Sequence, residues 1–413
     1  MNPSDAAERA ARRLLRRLLR EVGSPAVRVR FHDGEVVEPE VPAVATFALH
    51  DRGALLRLLL DPELQVAELL AQGRASVEGD LVAMLTALMR GPAPSGLASW
   101  LRSWRGLGSR FATRASRSAR NAQHHYDVSN EFYALWLDER MVYTCAYYPS
   151  PEASLEDAQL AKLDHVCRKL ALRPGDRVIE AGCGWGALAL HMARYYGCRV
   201  RAWNVSEQQV AFARERAEKE GLSDRVEFVL DDYRSIDGTC DAFVSVGMLE
   251  HVGRAHYRTL GAVIDRCLAP EGRGLVHTIG RSRPQRLNRW TEKNVFPNAH
   301  PPTLREMMEI FEPNGLVVLD VENLRRHYAR TVRHWLGRFR EQRSRAEALV
   351  GERLVRVFEL YLAGTIASFE ASTIELFQVV FTRVGNDAIP WTRSHVYTAA
   401  EDPFGRPATP GGA

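Results

Sequence analysis

The chain has 413 residues, 46% of them hydrophobic, enough for a sizeable core spread over two domains. Its net charge is a mild +4. No apolar run reaches the ~20 residues of a membrane-spanning helix, and the N-terminal stretch lacks the apolar region and cleavage site of a signal peptide. A soluble, intracellular protein is expected.

Residues 6–22, AAERAARRLLRRLLREV, have helical periodicity. Ala7, Ala11, Leu14, Leu15, Leu18 and Val22 share a face, and Arg9, Arg12, Arg13, Arg16, Arg17 and Arg20 surround it. Such a helix either packs on its own domain or lies on anionic lipid; the first reading is the plainer. AVRVRF and ATFALH then read as strands, and GALLRLLLDPELQVAELLAQG as helix broken at Asp-Pro. Residues 1–90 are thus a small α+β domain without a catalytic constellation.

GPAPSG at 91–96 is a linker signal. The basic segment through residue 120 has Trp100, Trp104, Leu107 and Phe111 at helical spacing, interleaved with Arg102, Arg105, Arg110, Arg114, Arg117 and Arg120. No acidic residue occurs between Asp80 and Asp127. Arginine beside tryptophan suits a membrane interface or nucleic acid, against a solvated linker helix as the plain alternative. The bias toward arginine is general: Lys162, Lys169, Lys219 and Lys293 are the only lysines among 55 basic residues.

From about residue 160 the pattern is α/β. Strands are expected at 177–181, 199–205, 226–231, 241–247 and 273–279, with helices at 156–171, 186–196, 206–220 and 255–268. This alternation gives a doubly wound, mostly parallel sheet. Helices are expected at 303–312 and 329–372, a late strand at 374–383, and a disordered tail at the end (391–413). Cys145, Cys167, Cys183, Cys198, Cys240 and Cys267 form no CxxC pair. They are expected to be buried small hydrophobes rather than a disulfide framework or zinc site, and no metal is expected.

In VIEAGCGWG the first strand of that sheet ends at Glu180 and Ala181, and Gly182, Gly184 and Gly186 follow at alternate positions. Ligands of open α/β sheets bind at such a strand end. The last glycine of the dinucleotide fingerprint is absent, so a pyrophosphate is not the natural occupant. Glu180 is placed for an amino group, which points to S-adenosylmethionine more than to NAD.

Six motifs occur in order: HHYDVSNEFYALWLDERMVYTCAYY, VIEAGCGWGALALHMA, SVGMLEHVG, VHTIG, FPNAHPPTLREM and FQVVFTR. Together they resemble the cyclopropane-fatty-acyl-phospholipid synthase family, from about 120 to 385. LQVAELLAQGRASVEGDL (64–81) is similar to that family's N-terminal domain. The resemblance implies a Rossmann-like class I methyltransferase domain over 121–390. It also implies methyl transfer from S-adenosylmethionine to a cis double bond of a phospholipid acyl chain, with closure of a cyclopropane ring. The expected partner is then the surface of a phospholipid bilayer at the cytoplasmic face, not nucleic acid. A homodimer is the oligomer the family suggests.

The resemblance further implies bicarbonate as the base, held by Cys145, Glu250, His277, Ile279 and Tyr328. For the cofactor the matching positions are Tyr143 and Thr144, Gly182 to Gly186, Asn204 to Gln209, and Asp232 with Tyr233. Gln209 is expected at the ribose, and Asp232 and Tyr233 at the adenine. Phe132, Tyr133, Trp136, Tyr143, Tyr147 and Tyr148 supply aromatic faces able to stabilise a cation without trapping it; most are expected to be core, with one or two in the pocket.

Two departures stand out. Where some members carry cysteines this chain has His300 and Thr365, so a thiol mechanism is unsupported. Asn204 replaces the acidic residue that many methyltransferases place at the end of the second strand, as is common in this family. A methyl- or methylene-branching relative, an amine N-methyltransferase and a non-catalytic lipid-binding protein are the alternatives. The intact TCAYY and HTIG segments, the N-terminal domain, and the intact glycine turn respectively weigh against them.

Overall fold

A computed structural model describes residues 3–91, 129–285 and 287–397. The expected basic linker, from residue 92 on, and the last part of the expected tail lie outside the described residues. Contacts sort the chain into two units that are not consecutive in sequence. The first joins the N-terminal elements to Asn288–Pro297 and Arg343–Thr373; the second holds the remainder. The span 121–390 therefore lends two excursions to the N-terminal unit. The second of these carries the helix Glu352–Glu370, which buries Val355, Phe358, Leu362 and Ile366 and packs on the helices Pro62–Ala71 and Leu81–Arg90.

In the first unit β1 (Val27–Arg30), β2 (Val36–Val37), β3 (Ala45–Leu49) and β4 (Ala75–Gly79) form a sheet in the order β2-β1-β3-β4. Asp51, Asp61 and Asp80 each accept backbone N–H groups that would otherwise be orphaned at a helix start, which is why the chain turns at those points. The break expected at Asp-Pro falls between the helices Arg52–Leu60 and Pro62–Ala71. The helix Pro3–Glu21 buries Ala11, Leu15 and Leu18, so its apolar face packs on its own unit. Arg12, expected among the arginines around that face, is itself buried. It is paired with Glu8, Asp33 and Glu35, and its guanidinium lies 4.5 Å from the Phe31 ring centroid.

The second unit is built on β5 (Arg177–Ala181), β6 (Arg199–Asn204), β7 (Val226–Leu230), β8 (Cys240–Val246), β9 (Leu268–Gly280), β10 (Leu316–Asn323) and β11 (Glu375–Arg383). The order is β10-β11-β9-β8-β5-β6-β7. β5 to β9 run parallel, and β11 is antiparallel to both β9 and β10. The helices Leu155–Lys169, Ala187–Tyr196 and Glu207–Lys219 cover one face with Val178, Val200, Ala202, Val244 and Leu275. Tyr257–Cys267 and Leu304–Phe311 cover the other with Ile179, Phe243, Val276 and Val379. The result is the doubly wound Rossmann-like sheet expected of a class I methyltransferase. From β5 the chain winds outward through β6 and β7, then returns to β8 on the other side. That reversal opens a crevice at the carboxyl ends of β5 and β8.

β10 was not expected from the sequence. The helix expected over 329–372 is three helices, Arg325–Glu341, Arg343–Val350 and Glu352–Glu370, broken at Gln342 and at Gly351, whose φ is +80°. The beginning of the expected tail is ordered: Ser394–Tyr397 is a helical turn with Val396 buried, and Arg393 pairs with Asp320 at 2.6 Å. All six cysteines are buried and none is in a disulfide. No described helix is long and apolar enough to cross a membrane.

Candidate active site

The turn after β5 is made possible by its glycines. Gly182, Gly184 and Gly186 have φ of +86°, +53° and +82°, a region that side-chain-bearing residues enter at a cost of about 1–2 kcal/mol. Gly182 and Cys183 donate their N–H groups to Trp203 O on β6 at 2.9 and 3.1 Å. A Cβ at Gly182 would lie 2.9 Å from Met248 Cβ, and one at Gly186 would lie 2.7 Å from Phe228 Cζ. A Cβ at Gly184 would meet nothing within 4 Å. The outer glycines thus fit the protein, while the middle one faces open space.

Glu180 stands beneath this turn, 2% exposed, and its Oε2 is buried without a hydrogen-bond partner among the described residues. Burial pushes its carboxyl up to about 8, against the pull of Lys162. An orphaned buried carboxylate oxygen beside an open glycine turn fits the ammonium and amino-acid end of S-adenosylmethionine. Asn204 locks the turn, its Nδ2 donating to Gly184 O at 3.1 Å and to Gln209 Oε1 at 2.8 Å. Gln209, expected at the ribose, is buried and braces Asn204 through its side-chain carbonyl. At the end of β7, Asp232 caps its own turn by accepting Arg234 N–H at 2.9 Å and pairs with the Arg234 guanidinium at 3.0 Å. The Tyr233 ring lies in the core cluster. Of the two residues expected at the adenine, the carboxylate of Asp232 is therefore engaged by its own loop, and the aromatic ring of Tyr233 points inward.

Tyr143 and Thr144 come from the loop before Cys145. The Tyr143 ring lies 5.4 Å from Tyr133, 5.3 Å from Trp136 and 5.4 Å from Trp335. Trp185 of the glycine turn joins this cluster 5.2 Å from Tyr133. Phe132, Tyr133, Trp136 and Tyr148 are buried, while Tyr143 and Tyr147 are only partly so. Thr144 accepts at Oγ1 from Lys162 Nζ at 3.0 Å and at its carbonyl from Gln159 Nε2 at 2.9 Å. A Cβ on Gly247 would lie 2.8 Å from Thr144 Cγ2, so the loop rests against the end of β8.

The residues expected to hold the base converge through the backbone. Ile279 on β9 is in register with Leu376 on β11. Leu376 O accepts Leu324 N–H at 2.8 Å, and Leu324 O accepts Tyr328 N–H at 3.1 Å and lies 3.9 Å from Cys145 Sγ. Tyr328 is buried edge-to-face on Trp335, with ring centroids 5.9 Å apart. Cys145 is fully buried, and burial holds its thiol protonated far above the usual range.

Glu250, on the turn Leu249–Val252, accepts from Thr278 Oγ1 at 2.8 Å and is held by the Ile279 backbone. Burial raises its pKa. His277 is 1% exposed, its Nδ1 lies 3.1 Å from Gln378 Nε2, and its Nε2 has no partner among the described residues. Burial, then the charges of Lys162 and Lys169, keep it neutral. With Gln378 donating to Nδ1, the ring proton sits on Nε2 as an unsatisfied donor. A buried donor without an acceptor among the described residues fits a small oxyanion such as bicarbonate.

Sequence reasoning missed the braces: Thr278 and Gln378 behind Glu250 and His277, and Lys162 and Gln159 behind Thr144. In the helix Leu155–Lys169, Gln159, Lys162, His165 and Lys169 are all buried, but their spacing is also that of a solvated face, so the sequence carried no signal for them. His300 lies 3.4 Å from Glu306 and donates its backbone N–H to Glu250 O at 2.7 Å. Thr365 returns its hydroxyl to Tyr361 O at 2.8 Å.

The chain is similar to several known proteins. The family model described as mycolic acid cyclopropane synthetase matches residues 113–379. A probable fatty acid methyltransferase of Pseudomonas putida is 41% identical over 285 residues, covering 66% of this chain and 72% of that protein. The cyclopropane-fatty-acyl-phospholipid synthase of Escherichia coli K12 is 41% identical over 262 residues, 63% of this chain and 67% of that protein. Among solved structures, the cyclopropane synthase MmaA2 from Mycobacterium tuberculosis is similar with a TM-score of 0.62 at 28% identity, over 64% of this chain and 98% of that one.

Proposed function

The chain belongs to the mycolic acid cyclopropane synthetase family, and from that premise we propose that it transfers the methyl group of S-adenosylmethionine to a cis double bond of an unsaturated acyl chain and closes a cyclopropane ring. The observation that carries this reading is the pairing, in one unit, of an open glycine turn over Glu180 with the buried set Glu250, His277, Cys145 and Tyr328.

S-adenosylmethionine supplies an electrophilic methyl group. An alkene is a weak nucleophile, so the protein must hold both partners at near-attack distance and exclude water. Glu180 and the glycine turn receive the amino-acid end of the cofactor, with Asn204 and Gln209 keeping the turn rigid. The Tyr133, Trp136, Tyr143 and Trp335 rings keep the neighbouring volume dry and offer π faces to the cation left on the acyl chain.

Bicarbonate, when bound, supplies a general base for the proton that must leave the new methyl carbon. Glu250 would accept its hydroxyl, and His277 and Tyr328 would donate to its oxygens, with Cys145 and the Ile279 backbone closing the pocket. Cys145 is no thiolate and takes no part as a nucleophile. The substrate is proposed to be an acyl chain within a phospholipid, met at the cytoplasmic face of a bilayer through the Arg- and Trp-rich segment 100–120; that charge pattern is the support for it.

The test is to incubate the protein with S-adenosylmethionine and vesicles of a cis-monounsaturated phospholipid, with and without added bicarbonate. Fatty acids are then examined by mass spectrometry and proton NMR, because a cyclopropane and a methylene branch are isomers. Upfield cyclopropyl protons, increased by bicarbonate, are expected. Vinylidene protons would instead make the chain a methylene-branching enzyme.

A further inference from the structure

Lys162 is one of four lysines in the chain, yet it is 2% exposed. A buried ammonium costs several kcal/mol in desolvation, and a Leu or Met at that helix position would pack without that cost. Among the described residues its single hydrogen-bond partner is Thr144 Oγ1, at 3.0 Å, although an ammonium carries three donors. Asp138 offers little more, since its carboxylate accepts the N–H groups of Arg140 and Val142 at 3.0 and 2.9 Å.

The position explains the charge. Glu180 on β5 and His277 on β9 flank β8 at the carboxyl end of the sheet, where Val244 pairs with Glu180 and Val246 with His277. The helix Leu155–Lys169 covers that face, and Thr144 ties Lys162 to the loop that continues into Cys145. The charged or titratable groups acting on Lys162 are Asp138, Cys145, Glu180 and Cys167, and Lys162 in turn acts on His277. Lys162 thus acts on both the cofactor side, at Glu180, and the base side, at Cys145 and His277.

We propose that Lys162 is a positioning residue common to both halves of the site: it fixes Thr144 and provides the buried positive charge that lets Glu180 meet the cofactor as a carboxylate and lets an anionic base enter beside Cys145 and His277. This rests on the S-adenosylmethionine-dependent reading above. Burial drives Lys162 down and Glu180 up, each to about 8. Without Lys162, Glu180 rises further, so a smaller share of it is ionised at any pH between 6 and 8.5 and the cofactor's ammonium loses counter-charge.

The experiment is calorimetric binding of S-adenosylhomocysteine between pH 6 and 8.5, with thermal midpoints recorded alongside, for wild type, Lys162→Met and Glu180→Gln. Lys162→Met should bind about tenfold more weakly at pH 7, one pKa unit's worth of pairing, and should recover toward wild type as pH rises. Glu180→Gln, isosteric and independent of whether Lys162→Met folds, should lose the pH dependence. Identical affinities for Lys162→Met and wild type at every pH, or an unchanged pH slope in Glu180→Gln, would overturn the inference alone. A wild-type chain that binds no S-adenosylhomocysteine would instead remove the functional reading, and the inference with it.

Discussion

Thr278 on β9 donates its hydroxyl to Glu250 across 2.8 Å, from the face of the sheet opposite to the one His277 occupies one residue earlier. Successive side chains of a strand point to opposite faces. Adjacent residues of one strand thus support two different members of the set: Thr278 reaches up to the turn after β8, and His277 is held from β11 by Gln378. Both braces act on groups that burial has made costly to leave unpaired.

Glu250→Gln should keep S-adenosylhomocysteine affinity within a factor of two and lose about 10²–10⁴-fold in turnover, the usual range for a group serving proton transfer. Thr278→Val should lose roughly tenfold, since a hydrogen bond to a charged group contributes about 1.5 kcal/mol or more. Steady-state lipid assays set beside calorimetry check both. Full turnover in Glu250→Gln would remove it from the base site.

Gln378→Leu leaves His277 Nδ1 without its donor and frees the ring to change tautomer. Turnover should fall about tenfold and the bicarbonate concentration for half-maximal rate should rise, with S-adenosylhomocysteine affinity unchanged. Titrating bicarbonate at saturating lipid measures this; an unaltered half-maximal concentration would mean that the Gln378–His277 contact is packing only.

Gly184→Ala and Gly186→Ala should separate binding from folding. Both put a side chain at positive φ, but only at Gly186 would it strike Phe228 and Ala213. Gly186→Ala should lower the thermal midpoint and cost about 3 kcal/mol, strain plus overpacking. Gly184→Ala should cost only the ~1–2 kcal/mol of strain while filling the cofactor's space, so its main loss is in calorimetric affinity.

Glu322 on β10 lies 2.8 Å from His165 Nε2 and 2.6 Å from Lys169 Nζ. Burial would raise its pKa, but the hydrogen bond from His165 and the charge of Lys169 outweigh burial and hold it at about 2, against an ordinary 4.5. A depressed carboxylate stabilises fully above its unfolded value and loses that contribution as pH falls through 4.5 toward 2. Urea unfolding should therefore show Glu322→Gln less stable at pH 6, by on the order of 2 kcal/mol after allowing for solvent screening, and less sensitive to acid than wild type between pH 4.5 and 3.

Replacing Arg102, Arg105 and Arg110 by Gln should weaken sedimentation with anionic vesicles and flatten its salt dependence, at about 1 kcal/mol per basic residue near the surface. Unchanged sedimentation would assign membrane contact to another part of the chain.

The parallel strands were legible because each is a short apolar run ended by a turn signal. β10 was not: as an edge strand it leaves Val317 and Val321 exposed, and its register slips between Val318 and Asp320, so its alternation is blurred. The expected site residues Cys145, Glu250, Ile279 and Tyr328 are drawn together by backbone pairing that no local pattern contains. Lys162 escaped notice for a related reason: nothing in LAKLDHV tells a lysine that faces solvent from one that stands over a sheet. The discontinuous units were equally invisible, since helices 343–350 and 352–370 carry no mark of which core they will join.

β11 is the last of the described strands, yet it lies inside the sheet, bonded to β9 on one side and β10 on the other. Residues 343–373, which precede it, have gone to the other unit. During synthesis β9 therefore waits with an unsatisfied edge until residues 375–383 leave the ribosome, and such an edge is a template for pairing between nascent chains. A stop codon shortly before residue 375 would remove little of the chemistry by count. It would leave a sheet split between β9 and β10, and the product to expect in the cell is an aggregate rather than a soluble, inactive enzyme.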